Sequence, residues 1–305
     1  MLYSFTAMSN NSVPNQIWRA IYPSLIYIGL SFFVTLAASI AYGFVLGFRM
    51  AASGEARAPG TVFTGRMQAF LTDYQLWLLA VSGAAGIYIF ARMWRKIMKR
   101  LQRYDHDGMN PVTAIFTALG CMGLCFVIMS VIDIAGLIDY FPSYREVARV
   151  LSSGGLVVQI LALCVVGPIA EELCFRGVVL NRLLSWMPAR AAVLAGSVLF
   201  GVIHLNVLQG LYAFVIGLVF SLLYIRYRNI WAPVIGHMAF NLTSVLFQAY
   251  LGFRGIEEFN LLILLVPGAL VMAASVWILL KRTQAAVLIP EPEPASQSPA
   301  LESAE

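Results

Sequence analysis

A cluster of three charged residues lies inside one long apolar run of this chain. The run extends from near Leu156 to Leu184, and Glu171, Glu172 and Arg176 interrupt it. A charge at bilayer depth costs roughly 2.5–3.5 kcal/mol on insertion scales, so three charges facing lipid would cost on the order of 8–10 kcal/mol. We therefore expect the cluster to face a protein interior or a water-filled cavity, which requires other helices around it.

The apolar runs are long and numerous enough to predict a membrane protein. Of the 305 residues, 60% are hydrophobic and 11% are charged, which is unlike a soluble globular protein. Runs of about 20 apolar residues match the hydrocarbon thickness of a bilayer. The fold class predicted is all-α, a polytopic bundle of about eight transmembrane helices with a polar catalytic cavity inside it. The expected spans are about 21–48, 74–91, 112–132, 155–178, two within 191–225, 231–250 and 260–280.

The formal charge of +5 does not indicate nucleic-acid binding. Most of the 20 Lys and Arg residues lie at the ends of apolar runs, and Lys96, Lys99 and Lys281 fall on one side of the eight-span topology. This is the positive-inside pattern, so both termini are expected to be cytoplasmic. The lipid bilayer is the expected environment, and the resemblance given below suggests the bacterial inner (cell) membrane.

The chain divides by composition into five segments. No cleavable signal peptide is expected, since 1–17 lacks Lys and Arg and the first apolar run is too long. Cys121, Cys125, Cys164 and Cys174 lie in apolar runs and are expected to be small buried residues. The segments are a polar N-terminus (1–17), a transmembrane scaffold (18–150) with a basic stretch at 92–103, a core (155–250), a last transmembrane helix (251–282) and a disordered acidic tail (283–305).

Helical spacing suggests different roles for the charged residues of the fourth span. Glu172 and Arg176 are four residues apart and can form an ion pair on one helix face. Glu171 lies about 100° around the helix and need not share that partner. A carboxylate without a cationic partner in an apolar cavity suits a general base. The alternative is a purely structural ion-pair network that locks helices together.

Two further spans carry histidine among apolar residues. His204 follows Phe200 by one helical turn, and His237 lies four residues before Asn241. Beside a buried carboxylate, a histidine can hold and deprotonate a water molecule. His237 and Asn241 share a helix face and could donate to an oxyanion, or they could form a packing hydrogen bond between helices. Phe200 is expected to pack.

The three motifs taken together resemble those of a known family. Glu-Glu-x-x-x-Arg at 171–176, Phe-x-x-x-His at 200–204 and His-x-x-x-Asn at 237–241 occur in this order. They resemble the CPBP family of intramembrane proteases, which includes the type II CAAX prenyl endopeptidases and the Abi-type proteins. The resemblance covers about 155–250 and implies an endopeptidase that hydrolyses a peptide bond of a membrane-associated protein or peptide substrate.

The resemblance also implies residue roles. It assigns water activation to Glu171 and His204, support of that site to Glu172 and Arg176, and oxyanion stabilisation to His237 and Asn241. Along a straight fifth span, however, His204 would lie roughly 10–15 Å from Glu171. The two residues can meet only if that span is short, tilted and turned within the membrane near Asn206–Gln209, or if a span boundary is wrong.

Other chemistries use the same residue types. Glu171, His204 and His237 could make a three-ligand zinc site, but the chain lacks His-Glu-x-x-His and the resemblance implies a metal-free mechanism. We therefore expect no cofactor, with zinc as the alternative. Buried Glu, His and Arg also form proton relays in transporters or channels, although no repeated pair of broken helices is evident. A non-catalytic scaffold or immunity protein is the third hypothesis.

Overall fold

The fold is an all-helical bundle. The computed structural model describes residues 12–55, 60–101, 109–250 and 262–282, and within these ranges it contains helices and no strands. The polytopic all-α prediction is thereby confirmed. The helices are α1 (Val13–Ala52), α2 (Gly60–Arg100), α3 (Pro111–Ile134), α4 (Leu137–Tyr140), α5 (Tyr144–Leu151), α6 (Leu156–Leu183), α7 (Ala189–Val202), α8 (Val207–Tyr227), α9 (Trp231–Tyr250) and α10 (Leu262–Arg282).

Each of the eight expected spans coincides with a helix, but the helices are not equivalent. Six of those in the described ranges are long and apolar enough to cross a membrane, namely α1, α2, α3, α6, α8 and α10. α7 has 14 residues, which gives about 21 Å of rise against a hydrocarbon core of about 30 Å. α9 has 20 residues but is not one of the six, and His237, Asn241 and Gln248 lower its mean hydropathy.

Two segments expected to be loops contain helix. The segment between the first two expected spans, 49–73, is mostly helical, because α1 continues to Ala52 and α2 begins at Gly60. Helices of 40 and 41 residues rise about 60 Å, so both extend past the apolar stretch that marked the spans. The connection after α3 holds the short helices α4 and α5. The expected acidic tail and Arg103 lie outside the described residues.

Local sequence explains several helix ends. Pro111 occupies the first turn of α3, and the Asn110 side chain accepts a hydrogen bond from the Thr113 backbone N–H at 2.9 Å. Asn206 caps α8 in the same way by accepting from the Gln209 N–H at 3.2 Å. α8 ends at Tyr227, and the next residue, Arg228, has φ of +48°, which allows a sharp turn into α9.

α6 is the central helix of the bundle. It packs against α1, α2, α7, α8 and α9. Its second half is buried all round, from Glu172 to Leu183 with few breaks. A helix buried on every face can carry polar groups only if neighbouring helices satisfy them, which places the charged cluster at the centre of the bundle.

Close contact between α3 and α10 leads to a stability prediction. A Cβ atom on Gly123 would lie 2.5 Å from the Gly268 carbonyl oxygen and 2.8 Å from the Met272 backbone nitrogen. Because backbone atoms cannot move aside easily, we expect Gly123→Ala to destabilise the protein by about 1–3 kcal/mol. The control is Gly29→Ala in α1, where a Cβ meets nothing within 4 Å. Unfolding in mixed detergent micelles measures both, and equal stability of the two variants would contradict this packing.

Candidate active site

The buried ion pair expected from spacing is present in α6. Arg176 Nη1 donates to Glu172 Oε1 at 3.0 Å, and the two side chains are 1% and 0% exposed. Arg176 Nη2 also donates to the backbone carbonyl of Gly217 on α8 at 3.0 Å. Arg176 therefore links α6 to α8. Its charge and that of Glu172 neutralise each other inside the bundle, as buried charges require.

Two aromatic rings enclose this pair. The Arg176 guanidinium lies 4.5 Å from the Phe200 ring centroid and 5.4 Å from that of Phe220. Such cation–π contacts are strongest where the cation is desolvated. Phe200 also makes edge contacts with His204 at 5.2 Å and His237 at 6.0 Å between centroids. Phe200 packs, as expected, and its ring touches both histidines.

His237 lies between the two glutamates. Its Nδ1 is 2.8 Å from Glu172 Oε1, and its Nε2 is 3.8 Å from Glu171 Oε2. A carboxylate oxygen accepts, so the short contact places a proton on Nδ1. Nε2 then faces Glu171 at a separation longer than a direct hydrogen bond. The ring stacks loosely on Phe220 at 4.8 Å, which holds its orientation.

Four of the expected site residues meet at one cavity. A space of about 350 Å³ is lined by Glu171 of α6, by His204 from the turn after α7, and by His237 and Asn241 of α9. Glu171 is 17% exposed, so its carboxylate can be reached by water. Glu172 and Arg176 do not line this cavity and lie buried behind it. The cavity thus brings a carboxylate, two imidazoles and an amide to one space.

His204 reaches the cavity because the fifth span is short. α7 ends at Val202, and the chain turns at 203–206 before α8 begins. Leu205 in this turn has φ of +54°, an uncommon and costly value for a residue with a side chain. His204 Nδ1 lies 2.8 Å from the Phe200 carbonyl oxygen, so Nε2 is the ring nitrogen left for other partners. Of the two explanations considered above, the short and turned span is the one observed.

The helix around Glu171 departs from regular α geometry. Ile160–Val166 and Leu173–Leu180 are π-helical and flank an α-helical turn, Gly167–Glu172. π-Helical turns are rare and often occur at functional sites. The Gly167 N–H bonds the Ala162 carbonyl five residues back. The next bond in this register would join residue 168 to Leu163, but Pro168 has no N–H.

Asn241 satisfies the carbonyl that Pro168 leaves free. Its Nδ2 donates to the Leu163 oxygen at 2.7 Å, across from α9 to α6. One amide proton of Asn241 is therefore used in this contact, and the second is available on a side chain that lines the cavity. The packing interpretation and the oxyanion interpretation of Asn241 are both compatible with this geometry, because they use different protons.

The contact from Asn241 to Leu163 predicts a stability effect. We expect Asn241→Leu to destabilise the protein by about 1–3 kcal/mol, because the half-buried Leu163 carbonyl loses its side-chain donor. The control is Thr243→Val, which removes a hydroxyl that donates to the Ala239 carbonyl of its own helix. Mixed-micelle unfolding of both variants measures the difference. A Thr243→Val variant as unstable as Asn241→Leu would argue against this role.

One contact of the site was not foreseen from the sequence. The Tyr27 hydroxyl of α1 donates to Glu171 Oε1 at 2.8 Å, and Tyr27 lines the same cavity. Tyr27 lies in the segment expected to be scaffold, 144 residues from Glu171. A tyrosine in an apolar run has no spacing that links it to a distant carboxylate. Only the packing of α1 on α6 brings the two together.

The zinc alternative can be tested against the donor geometry. Among the residues that the structure describes, no three His, Cys, Asp or Glu side chains form a group that could hold a metal ion. Glu171, His204 and His237 share a cavity without being arranged as a ligand set. Residue 237 has its Nδ1 engaged by Glu172, which leaves Nε2 as the ring nitrogen that could face a metal. The metal-free site stays a prediction, and the reaction proposed below uses no metal.

Comparison with known proteins agrees with the motifs. Residues 153–243 match the family model described as "Type II CAAX prenyl endopeptidase Rce1-like". A curated relative, "Putative membrane peptidase YdiL" of Bacillus subtilis (strain 168), is 29% identical over 123 residues. That alignment covers 38% of this chain and spans half of the relative's length. No solved structure matches significantly. The resemblance to the CPBP family is thereby confirmed over residues 153–243.

Proposed function

We propose that this chain is an intramembrane endopeptidase that hydrolyses a peptide bond of a membrane-associated protein or peptide. The observation that carries the proposal is the cavity of about 350 Å³ in which Glu171, His204, His237 and Asn241 converge. These groups are the ones that peptide hydrolysis needs, and they lie inside a membrane-spanning bundle. The bacterial cell membrane, with both termini cytoplasmic, is the proposed location.

In the proposed reaction, Glu171 and His204 hold a water molecule in the cavity. Glu171 accepts a proton from the water as its oxygen attacks the substrate carbonyl carbon. The carbon–oxygen bond forms, and the carbonyl oxygen becomes an oxyanion. Glu171 then passes the proton to the nitrogen of the leaving amine as the carbon–nitrogen bond breaks. Glu171 thus takes up one proton and releases it again, so the hydrolysis balances without a cofactor.

The oxyanion is stabilised from α9 in this scheme. Asn241 offers the amide proton that Leu163 does not use. His237 can donate from Nε2 when the ring carries a second proton, because Nδ1 is committed to Glu172. The Glu172 carboxylate stabilises that imidazolium and fixes the ring, much as a buried carboxylate does in a hydrolase triad. One such donor contributes about 10²–10³ in rate.

The decisive experiment compares membranes that contain the wild type with membranes that contain Glu171→Gln. Quantitative peptidomics should find peptides or trimmed proteins that appear only with the wild type. Identical peptide sets from equal amounts of folded protein would overturn the proposal. In that case, flux of protons or solutes in proteoliposomes would favour a transporter or channel. A phenotype that survives Glu171→Gln would favour a non-catalytic scaffold or immunity protein.

A further inference from the structure

We infer that Tyr27 of α1 is a positioning residue for Glu171, an inference that rests on the proposed hydrolytic function. Tyr27 lies outside the matched residues 153–243. Its hydroxyl donates to Glu171 Oε1 at 2.8 Å. The first helix, expected to be scaffold, therefore supplies part of the candidate site.

The contact distinguishes the two oxygens of Glu171. Oε1 is held by the Tyr27 hydroxyl, whereas Oε2 lies 3.8 Å from His237 Nε2. A carboxylate held at one oxygen cannot rotate freely about its last side-chain bond. Oε2 is then presented to His237, and in the proposed reaction it is the oxygen that takes the proton. Tyr27 touches the base rather than the substrate, so its effect passes through Glu171.

Packing fixes where the Tyr27 hydroxyl lies. Its ring is 6.3 Å from that of Phe90 on α2 and 6.5 Å, edge-on, from that of Phe175 on α6. Both phenylalanines are buried, at 0% and 2% exposure. Interiors packed this closely keep side chains in single rotamers. Packing among α1, α2 and α6 thus fixes the position of the Tyr27 hydroxyl.

A second contact anchors α1 to α6 near the same end. Arg182 Nη2 donates to the Tyr22 hydroxyl at 2.8 Å, and Nη1 donates to the Arg19 carbonyl. The guanidinium also lies over the Tyr22 ring at 4.6 Å. Tyr22 and Tyr27 are five residues apart on α1, so the anchor restricts sliding of the helix where Tyr27 meets Glu171. α1 is therefore attached to the catalytic helix at two points.

The test is Tyr27→Phe, which removes the hydroxyl and keeps the ring. Hydrogen bonds to charged groups are strong enough that we expect kcat to fall about 10-fold or more, with KM little changed. The control is Tyr42→Phe on the same helix, whose ring stacks on Phe70 at 4.1 Å and has no contact with the site. The kinetic probe is a quenched fluorescent peptide copied from a cleavage site that depends on Glu171.

Infrared spectroscopy provides a readout that does not need turnover. The carboxyl stretching band that Glu171→Gln removes belongs to Glu171. We expect Tyr27→Phe to shift this band and Tyr42→Phe to leave it unchanged, with both variants unfolding near the wild-type midpoint. An unshifted band overturns the inference even if no cleavage is found. Wild-type cleavage that needs Glu171 but is equally fast in Tyr27→Phe overturns it while the proposed function stands.

Discussion

Glu171→Gln is expected to reduce peptide hydrolysis by about 10²–10⁴-fold while the protein remains folded. The amide that replaces the carboxylate cannot accept the proton of the attacking water. It keeps nearly the same shape, and its carbonyl oxygen can still accept the Tyr27 hydrogen bond seen at 2.8 Å. Initial rates on a cleaved peptide, measured with equal amounts of purified protein in detergent micelles, give the ratio.

A matched substitution at a distant carboxylate tests whether the loss of any carboxylate lowers the rate of hydrolysis. Glu55 pairs with Arg66 at 3.0 Å, and both side chains are 44% exposed. Glu55→Gln makes the same chemical change outside the cavity, so its rate should equal that of the wild type. Full activity in Glu171→Gln would remove Glu171 from the role of base and leave the proposed reaction without one.

Arg176→Met is expected to give the largest loss of stability, about 3–5 kcal/mol. The substitution leaves the fully buried Glu172 with His237 as its remaining hydrogen-bond partner. The Gly217 carbonyl loses one donor but keeps the Ser221 hydroxyl. It also removes the cation from between the rings of Phe200 and Phe220. Unfolding in mixed detergent micelles, followed by tryptophan fluorescence, measures the free-energy change.

An exposed ion pair provides the comparison for this variant. Arg149 lies 2.5 Å from Glu146, and each side chain is 68% exposed. Exposed pairs contribute little, so Arg149→Met should cost under about 1 kcal/mol. The double variant Glu172→Gln, Arg176→Met should regain part of the lost stability, because no unpaired charge then stays buried. Equal stabilities of Arg176→Met and Arg149→Met would show that burial does not set the cost here.

The fold and much of the candidate site could be predicted because their signals are local. Runs of about 20 apolar residues identify helices that need lipid or each other, and four-residue spacing pairs Glu172 with Arg176. The cost of a charge inside an apolar run predicted that the cluster faces the interior of the bundle rather than lipid. Each of these inferences uses residues within one helix, where geometry follows directly from sequence.

The features that could not be predicted depend on contacts between helices. Tyr27 meets Glu171 through the packing of α1 on α6, which no sequence spacing encodes. The distance problem at His204 arose from treating α7 as a full span, whereas it ends at Val202. Helix beyond the apolar stretch, as at the start of α2 from Gly60, also has no hydropathy signal. The hydrogen bond from Asn241 to the Leu163 carbonyl depends on a π-helical register, which cannot be predicted from composition.

The two π-helical stretches set the length of α6 as well as its shape. Bonds that reach back five residues rather than four hold one more residue in each turn. Losing one residue from Ile160–Val166 could therefore be absorbed by conversion to ordinary α-helix, because six α-helical residues wind through nearly the same angle as seven π-helical ones. The helix before it would keep nearly the same face toward its neighbours, so Val158 would stay in the cluster that includes Leu76 of α2. Relatives that differ here by one residue should then align with a gap while their surrounding helices keep their places.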